Sequence, residues 1–91
     1  MPEENTRPPR TPEEILGTIT AARDSVWVIN DSIAKIATEG NTNELKGNLE
    51  RNVGHLTIVT SDPEIVNSGN DISDLFQAIT DGQAALDAWP A

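Results

Sequence analysis

The side chains that could carry out acid–base or nucleophilic chemistry are few in this sequence. His55 is the only histidine, and a single imidazole serves as a general base only when a second group positions it against a substrate. No nucleophile motif of the Gly-x-Ser-x-Gly type accompanies it. We therefore interpret His55 as a solvated or edge-packed residue, and we predict that the protein is not an enzyme.

Two pairs of acidic residues are the candidates for metal binding, because carboxylates are good ligands of divalent cations. Asp62 is followed closely by Glu64, and Asp71 by Asp74. An EF-hand loop places oxygen ligands at alternate positions and a glycine at its turn, and neither run fits this pattern. Helix capping and the helix dipole explain the same acidic residues. We therefore predict no metal site, and the scattered glycines, which form no phosphate-binding loop, predict no cofactor.

The composition limits the kinds of partner that the chain can bind. Its 91 residues include 15 acidic and 6 basic side chains, for a net charge of −9. This charge disfavours direct binding to nucleic acid and to anionic membrane surfaces, and the lack of cysteine excludes disulfides. No apolar run has the length of a membrane span, and the N-terminus is unlike a signal peptide. We expect no membrane insertion and a soluble protein, cytoplasmic where it is synthesised.

The element that follows the N-terminal residues is predicted to be a long helix over 12–39. The run from Thr11 to Glu14 has the capping-box pattern, with proline at the first helical position, and Gly40 suits the end of the helix. Apolar residues then recur at alternating spacings of four and three, which is the heptad pattern of a buried seam. The residues of this seam are Ile15, Ile19, Ala22, Val26, Ile29, Ile33 and Ile36.

Two further helices, over about 43–61 and 71–89, are predicted by the same periodicity, with a short helical turn over 63–67 between them. This turn, which contains Ile65 and Val66, is expected to cover the end of the longer first helix. Gly82 stands where a large seam residue belongs, so it either permits a close backbone approach or weakens its helix by roughly 1 kcal/mol. The predicted fold class is all-α, with residues 11–91 forming an antiparallel three-helix bundle and residues 1–10, rich in proline, forming an extended arm.

Trp27 and Val28 are not explained by this bundle. Because Val26 and Ile29 belong to the seam, the two residues between them fall about 130° from its centre at 100° per residue and should point outward. The side chains within two turns of Trp27 on the same face are mainly polar: Thr20, Arg23, Asp24, Asn30, Asp31 and Ala34. A tryptophan with a polar rim has the composition of an interface hot spot. An indole lying partly exposed against a neighbouring element explains the pattern equally well.

The charges are unevenly distributed along the chain. No lysine or arginine follows Arg51, whereas six acidic residues do. Arg7 and Arg10 flank Pro8 and Pro9 in the predicted arm, which is too short there to fold back onto its own tryptophan. We therefore expect the two arginines to meet a carboxylate surface on another chain, in head-to-tail or heteromeric association. The alternative is an acidic face that is simply solvated.

Two functional hypotheses follow from these residues. The first is a non-enzymatic protein–protein interaction or assembly subunit of a larger complex, such as a virus particle, which binds a protein partner or a second copy of itself. Its predicted interface residues are Arg7, Pro8, Pro9, Arg10, Trp27 and Val28. The second is an acidic inhibitor that imitates nucleic acid and occupies a basic site on a partner protein. Its predicted acidic surface consists of Asp71, Asp74 and Asp81.

Overall fold

The structure, a computed structural model, describes residues 8–90, so Arg7 and the rest of the arm before Pro8 lie outside the described residues. The described chain is mostly helical, and no strand occurs in residues 8–90. Helix α1 spans Pro12–Glu39, α2 spans Asn43–Thr60, α3 spans Pro63–Val66 and α4 spans Ser73–Asp87. The prediction of an all-α fold is confirmed, and α1 has the predicted bounds.

The start of α1 is fixed by its capping box. The hydroxyl of Thr11 accepts a hydrogen bond from the backbone N–H of Glu14 at 3.1 Å, and the carboxylate of Glu14 accepts one from the backbone N–H of Thr11 at 2.8 Å. These contacts satisfy two of the amide groups that a helix N-terminus leaves without partners. At the other end Gly40 has a φ of 81°, a conformation that glycine adopts without steric cost.

The three long helices α1, α2 and α4 pack against one another, and α3 packs against α1 and α2. Their shared core is aliphatic, because most inward positions of the helices carry isoleucine, leucine, valine or alanine, although Ser25, Ser32 and Thr60 are also buried. Its buried members are Ile19, Ala22, Val26, Ile29, Leu49, Val53, Leu56, Val59, Ile65, Ile72, Leu75 and Ala78. Ile15, Ile33 and Ile36 pack against this core at its edge. The seam predicted for α1 is therefore confirmed throughout.

Helix α3 places one side chain, Ile65, in the core. Ile65 has no exposed surface, whereas Val66 beside it is 51% exposed. The carboxylate of Asp62 begins the helix by accepting a hydrogen bond from the backbone N–H of Glu64 at 3.0 Å. The turn predicted to cover the end of α1 thus contacts it through α3, and Ile65 carries that contact into the core.

Helix α4 is shorter at both ends than predicted. The Asp71 carboxylate accepts hydrogen bonds from the backbone N–H and the hydroxyl of Ser73, and this local turn delays the helix until Ser73. At the other end Pro90 disfavours helical backbone at Trp89, which instead donates its N–H to the carbonyl of Leu86. Ile72 and Trp89 still pack in or against the core, so the apolar periodicity extends beyond the helix itself.

Gly82 faces α1 and α2 at a position of α4 that has no room for a larger side chain. A Cβ atom added at Gly82 would stand 2.6 Å from Cγ2 of Val53 on α2 and 3.2 Å from Cγ2 of Ile29 on α1. Of the two roles considered for this glycine, the structure supports close approach. Gly54, by contrast, has nothing within 4 Å of such an atom.

Candidate functional site

Trp27 projects from the solvent-facing side of α1. Val26 before it and Ile29 after it are buried, so the helical repeat directs the indole away from the core. The Trp27 side chain is 69% exposed, and Val28 is 37% exposed. Both residues point outward, as their spacing predicts. The described residues cover only a minor part of the indole.

No aromatic side chain belongs to the buried core. The chain has two tryptophans, one phenylalanine and no tyrosine. Trp27 and Phe76 are exposed, and Trp89 is partly buried at the edge of the core. Because the core is filled by aliphatic residues, Trp27 contributes little to the packing that stabilises the fold, and its substitution should leave the helices intact.

Leu16 extends the exposed apolar area of α1, and the sequence analysis did not identify it. It is 50% exposed and precedes Trp27 by eleven residues, so the two side chains differ by only about 20° around the helix axis. A single leucine outside a seam gives no distinctive sequence signal, since such residues are common on protein surfaces. We call Leu16, Trp27 and Val28 together the Trp27 surface.

The charged groups beside the Trp27 surface are held by ion pairs. Arg23 donates from Nε to the carboxylate of Asp74 on α4 at 2.8 Å, and from Nη2 to the backbone carbonyl of Asp71 at 3.1 Å. Further along α1, Lys35 pairs with Asp31 at 3.1 Å. The hydrogen bond from Arg23 is the main reason that the pKa of Asp74 lies below its ordinary value. The polar rim of the tryptophan is thus partly fixed by contacts within the chain.

Of the three residues in the predicted acidic surface, Asp74 has its charge balanced within the chain. Asp74 is paired with Arg23, and the Asp71 carboxylate accepts two hydrogen bonds from Ser73, which lower its pKa. Asp81 accepts a hydrogen bond from Gln77 at 2.9 Å. The chain from α3 onward has no lysine or arginine of its own, but the charge of Asp74 is nevertheless balanced. The reason is that α1 packs against α4 and brings Arg23 beside Asp74.

Arg10 binds two carboxylates near the start of α3. Its guanidinium donates from Nη2 to Asp62 and from Nε to Glu64 at 2.6 Å, and its backbone N–H donates to the other oxygen of Glu64 at 3.2 Å. We call these three residues the Arg10 clasp. The sequence predicted an acidic partner of Arg10 on another chain, but Asp62 and Glu64 belong to the same chain. The reason is that α3 packs beside α1, so its acidic start lies next to the residue that precedes Thr11.

The clasp changes the protonation behaviour of both carboxyl groups. The pKa of Glu64 lies below its ordinary value chiefly because the Arg10 side chain donates a hydrogen bond to it. The pKa of Asp62 is lowered first by the backbone N–H of Glu64 and then by Arg10. About a third of each of the Arg10 and Asp62 side chains is exposed, so salt will screen part of this attraction. The uneven charge along the sequence was the available signal for such a contact.

The remaining predicted sites contribute no converging chemistry. His55 is exposed on α2, and Pro8 and Pro9 are exposed before the clasp. Within residues 8–90 no group of three or more potential metal ligands lies together, and no helix in that range is both long and apolar enough to cross a membrane. Comparisons with protein-family models, with curated proteins and with solved structures gave no match for this chain.

Acidification is expected to destabilise the fold through the carboxylates of the clasp. The folded-state pKa values of Asp62 and Glu64 are lowered from ordinary values of 3.8 and 4.5, so the unfolded chain takes up protons first as the pH falls. Their stabilising contribution is complete above the ordinary values and is lost as the pH falls through the folded-state values. Thermal unfolding midpoints measured between about pH 6 and about pH 2 should therefore decrease.

The control for this pH dependence is the double variant Asp62→Asn with Glu64→Gln. Asparagine keeps the capping ability of residue 62, and neither replacement titrates. The variant should lose less stability than the parent over the same pH range. Equal losses in the two proteins would show that other carboxylates carry the acid sensitivity.

Proposed function

We propose that this chain is a non-enzymatic protein–protein interaction module, a subunit of a larger assembly, which contacts its partner through the Trp27 surface. The observation that carries the proposal is the 69% exposed indole on the longest helix. Tryptophan is strongly enriched among interface hot spots, where it is enclosed by a partner and ringed by polar groups. Leu16 and Val28 add exposed apolar area on the same helix.

We infer that α1, α2 and α4 form an antiparallel three-helix bundle that acts as a rigid platform for this surface. Helix α1 has 28 residues, which corresponds to about 42 Å of continuous helix. Its inward side is anchored in the core along most of this length. A side chain on such an element is held in place before binding, which reduces the entropy lost on association.

The N-terminal arm, residues 1–10, is proposed as a second contact with the partner. Pro8 and Pro9 are exposed, and proline restricts the backbone in a way that favours extended recognition. Because Arg10 is bound to Asp62 and Glu64, its proposed role changes from a direct partner contact to fixing the point at which the arm leaves the helices. Arg7 stays a proposed partner contact.

The alternative function, an acidic inhibitor that imitates nucleic acid, has weaker support. Such a mimic needs several free carboxylates in a row to replace phosphates. Of the three acidic residues proposed for it, Asp74 is paired with Arg23 and Asp71 is engaged by Ser73. Asp71 and Asp81 have neutral partners, Ser73 and Gln77, and so keep their charge, but two carboxylates ten residues apart are a poor substitute for a phosphate backbone.

Trp27→Ala is expected to weaken association by at least about 2 kcal/mol, or roughly thirtyfold in the dissociation constant. The reason is that the indole would supply the largest apolar contact of the interface. Sedimentation of the purified full chain measures self-association. A pull-down from an extract of its source cells, with the chain as bait, measures how much partner protein it binds. Circular dichroism should show unchanged helicity, because the indole lies outside the core.

Ile58→Ala is the matched control for this experiment. Ile58 is 73% exposed on α2, so this substitution removes a comparable exposed apolar side chain from another helix. The proposal requires that association survive Ile58→Ala and be lost in Trp27→Ala. If Trp27→Ala associates as the parent does, or if both variants lose association equally, the Trp27 surface is not the specific interface.

A further inference from the structure

The Arg10 clasp connects two parts of the chain that are far apart in sequence. Arg10 precedes α1, whereas Asp62 and Glu64 lie 52 and 54 positions later at the start of α3. Glu64 receives two hydrogen bonds, one from the Arg10 side chain and one from its backbone N–H. The second of these fixes the main chain as well as the side chain, so Arg10 is held against the start of α3 by both.

The clasp is separate from the contacts that hold the helices together. Helix α1 begins at the capping box of Thr11 and Glu14, and α3 is anchored by the buried Ile65. Neither contact requires Arg10. Its guanidinium is also one-third exposed, at the periphery of the fold, where local opening costs far less than global unfolding.

We propose that Arg10 is the latch of an N-terminal strap, which opens and closes over α3 while the helices stay folded. In the closed state Asp62 and Glu64 hold Arg10, and Pro8 and Pro9 stay exposed beside the start of α3. In the open state the segment Pro8–Arg10 is free to extend, and the peptide bond between Arg10 and Thr11 becomes accessible. Within residues 8–90, the charged side chains that face the latch are Asp62 and Glu64 at the start of α3 and Glu14 from the first turn of α1.

Trypsin cleavage after Arg10 measures this opening directly. The enzyme must take the Arg10 side chain into its own acidic pocket, which the clasp prevents while it is closed. The only other basic residue nearby, Arg7, precedes Pro8, and trypsin does not cleave before proline. Release of the fragment that begins at Thr11 can therefore be followed by mass spectrometry during a short digestion of the intact chain.

The double variant Asp62→Asn with Glu64→Gln should speed cleavage after Arg10 by about threefold to tenfold, since cleavage follows the population of the open state. Both replacements keep the size of the side chain, and asparagine still caps α3. Cleavage after Lys46 and Arg51, which lie within α2, reports global unfolding in the same digest. Those sites should be cut at the parental rate.

Asp74→Asn is the matched control, because it removes another ion pair that joins distant parts of the described chain, between Arg23 and Asp74. Cleavage after Arg10 should be unchanged in this variant. The latch is overturned if the double variant is cut after Arg10 at the parental rate, or if Asp74→Asn accelerates that cleavage equally. The test uses the isolated chain, so its outcome is independent of whether the Trp27 surface binds a partner.

Discussion

Ile65→Ala is expected to lower the free energy of unfolding by about 2–5 kcal/mol, the range for truncating a fully buried isoleucine. Ile65 has no exposed surface, and it is the only buried residue of the four in α3. The truncation therefore removes the side chain that attaches this helix to the core and leaves a cavity beneath it. Denaturant unfolding followed by circular dichroism gives the free energy directly.

Val66→Ala provides the matched control, since Val66 is the next residue of the same helix and is 51% exposed. Its substitution should change the free energy of unfolding by no more than about 0.5 kcal/mol. If Ile65→Ala is too unstable to purify, Ile65→Val should still cost about 0.5–1.5 kcal/mol. A loss at residue 65 no larger than at residue 66 would mean that α3 is not an integral part of the fold.

Gly82→Ala is expected to destabilise the fold by about 1–2 kcal/mol, although alanine is the better helix former by roughly 1 kcal/mol. The new methyl group would lie 2.6 Å from Cγ2 of Val53 and 3.2 Å from Cγ2 of Ile29. Both neighbours are β-branched and therefore stiff at their first side-chain torsion. The steric cost of forcing α2 and α1 away from α4 should thus exceed the gain in helix propensity.

Gly54→Ala makes the same chemical change at a helical position with open space around it, and it should stabilise the chain by up to about 1 kcal/mol. A double-mutant cycle of Gly82→Ala with Val53→Ala supplies a second test. The combined loss should be smaller than the sum of the single losses, because the shortened side chain makes room for the new methyl group. Strict additivity, or stabilisation by Gly82→Ala, would contradict the close approach seen at Gly82.

The parts of this fold that the sequence predicted are those encoded by neighbouring residues. The bounds of α1 follow from Thr11, Glu14 and Gly40, which lie at its two ends and act locally. The outward direction of Trp27 follows from its position between Val26 and Ile29 in a regular seam. By contrast, the later start of α4 depends on the side chain of Asp71 folding back onto Ser73, a choice between local hydrogen bonds that periodicity does not encode.

The ion pairs of the candidate site depend on tertiary structure and could be anticipated only in kind. No lysine or arginine follows Arg51 in the sequence, whereas six acidic residues do, and this asymmetry predicted association between chains. The structure brings Arg10 to Asp62 and Glu64, and Arg23 to Asp74, once the helices pack. The register of that packing determines which carboxylates form ion pairs within the chain. The pattern of residue types along the sequence does not specify this register.

The placement of the aromatic residues determines what optical spectroscopy will see in this protein. Since Trp27 is largely hydrated and Trp89 lies at the edge of an aliphatic core, the native chain holds no deeply enclosed indole whose emission would move strongly to the red on unfolding. Tyrosine is absent, so the ultraviolet absorbance and fluorescence belong almost entirely to these two indoles. The intrinsic fluorophore of this chain is therefore a reporter of its surface, better suited to detecting what contacts α1 than whether the core is intact.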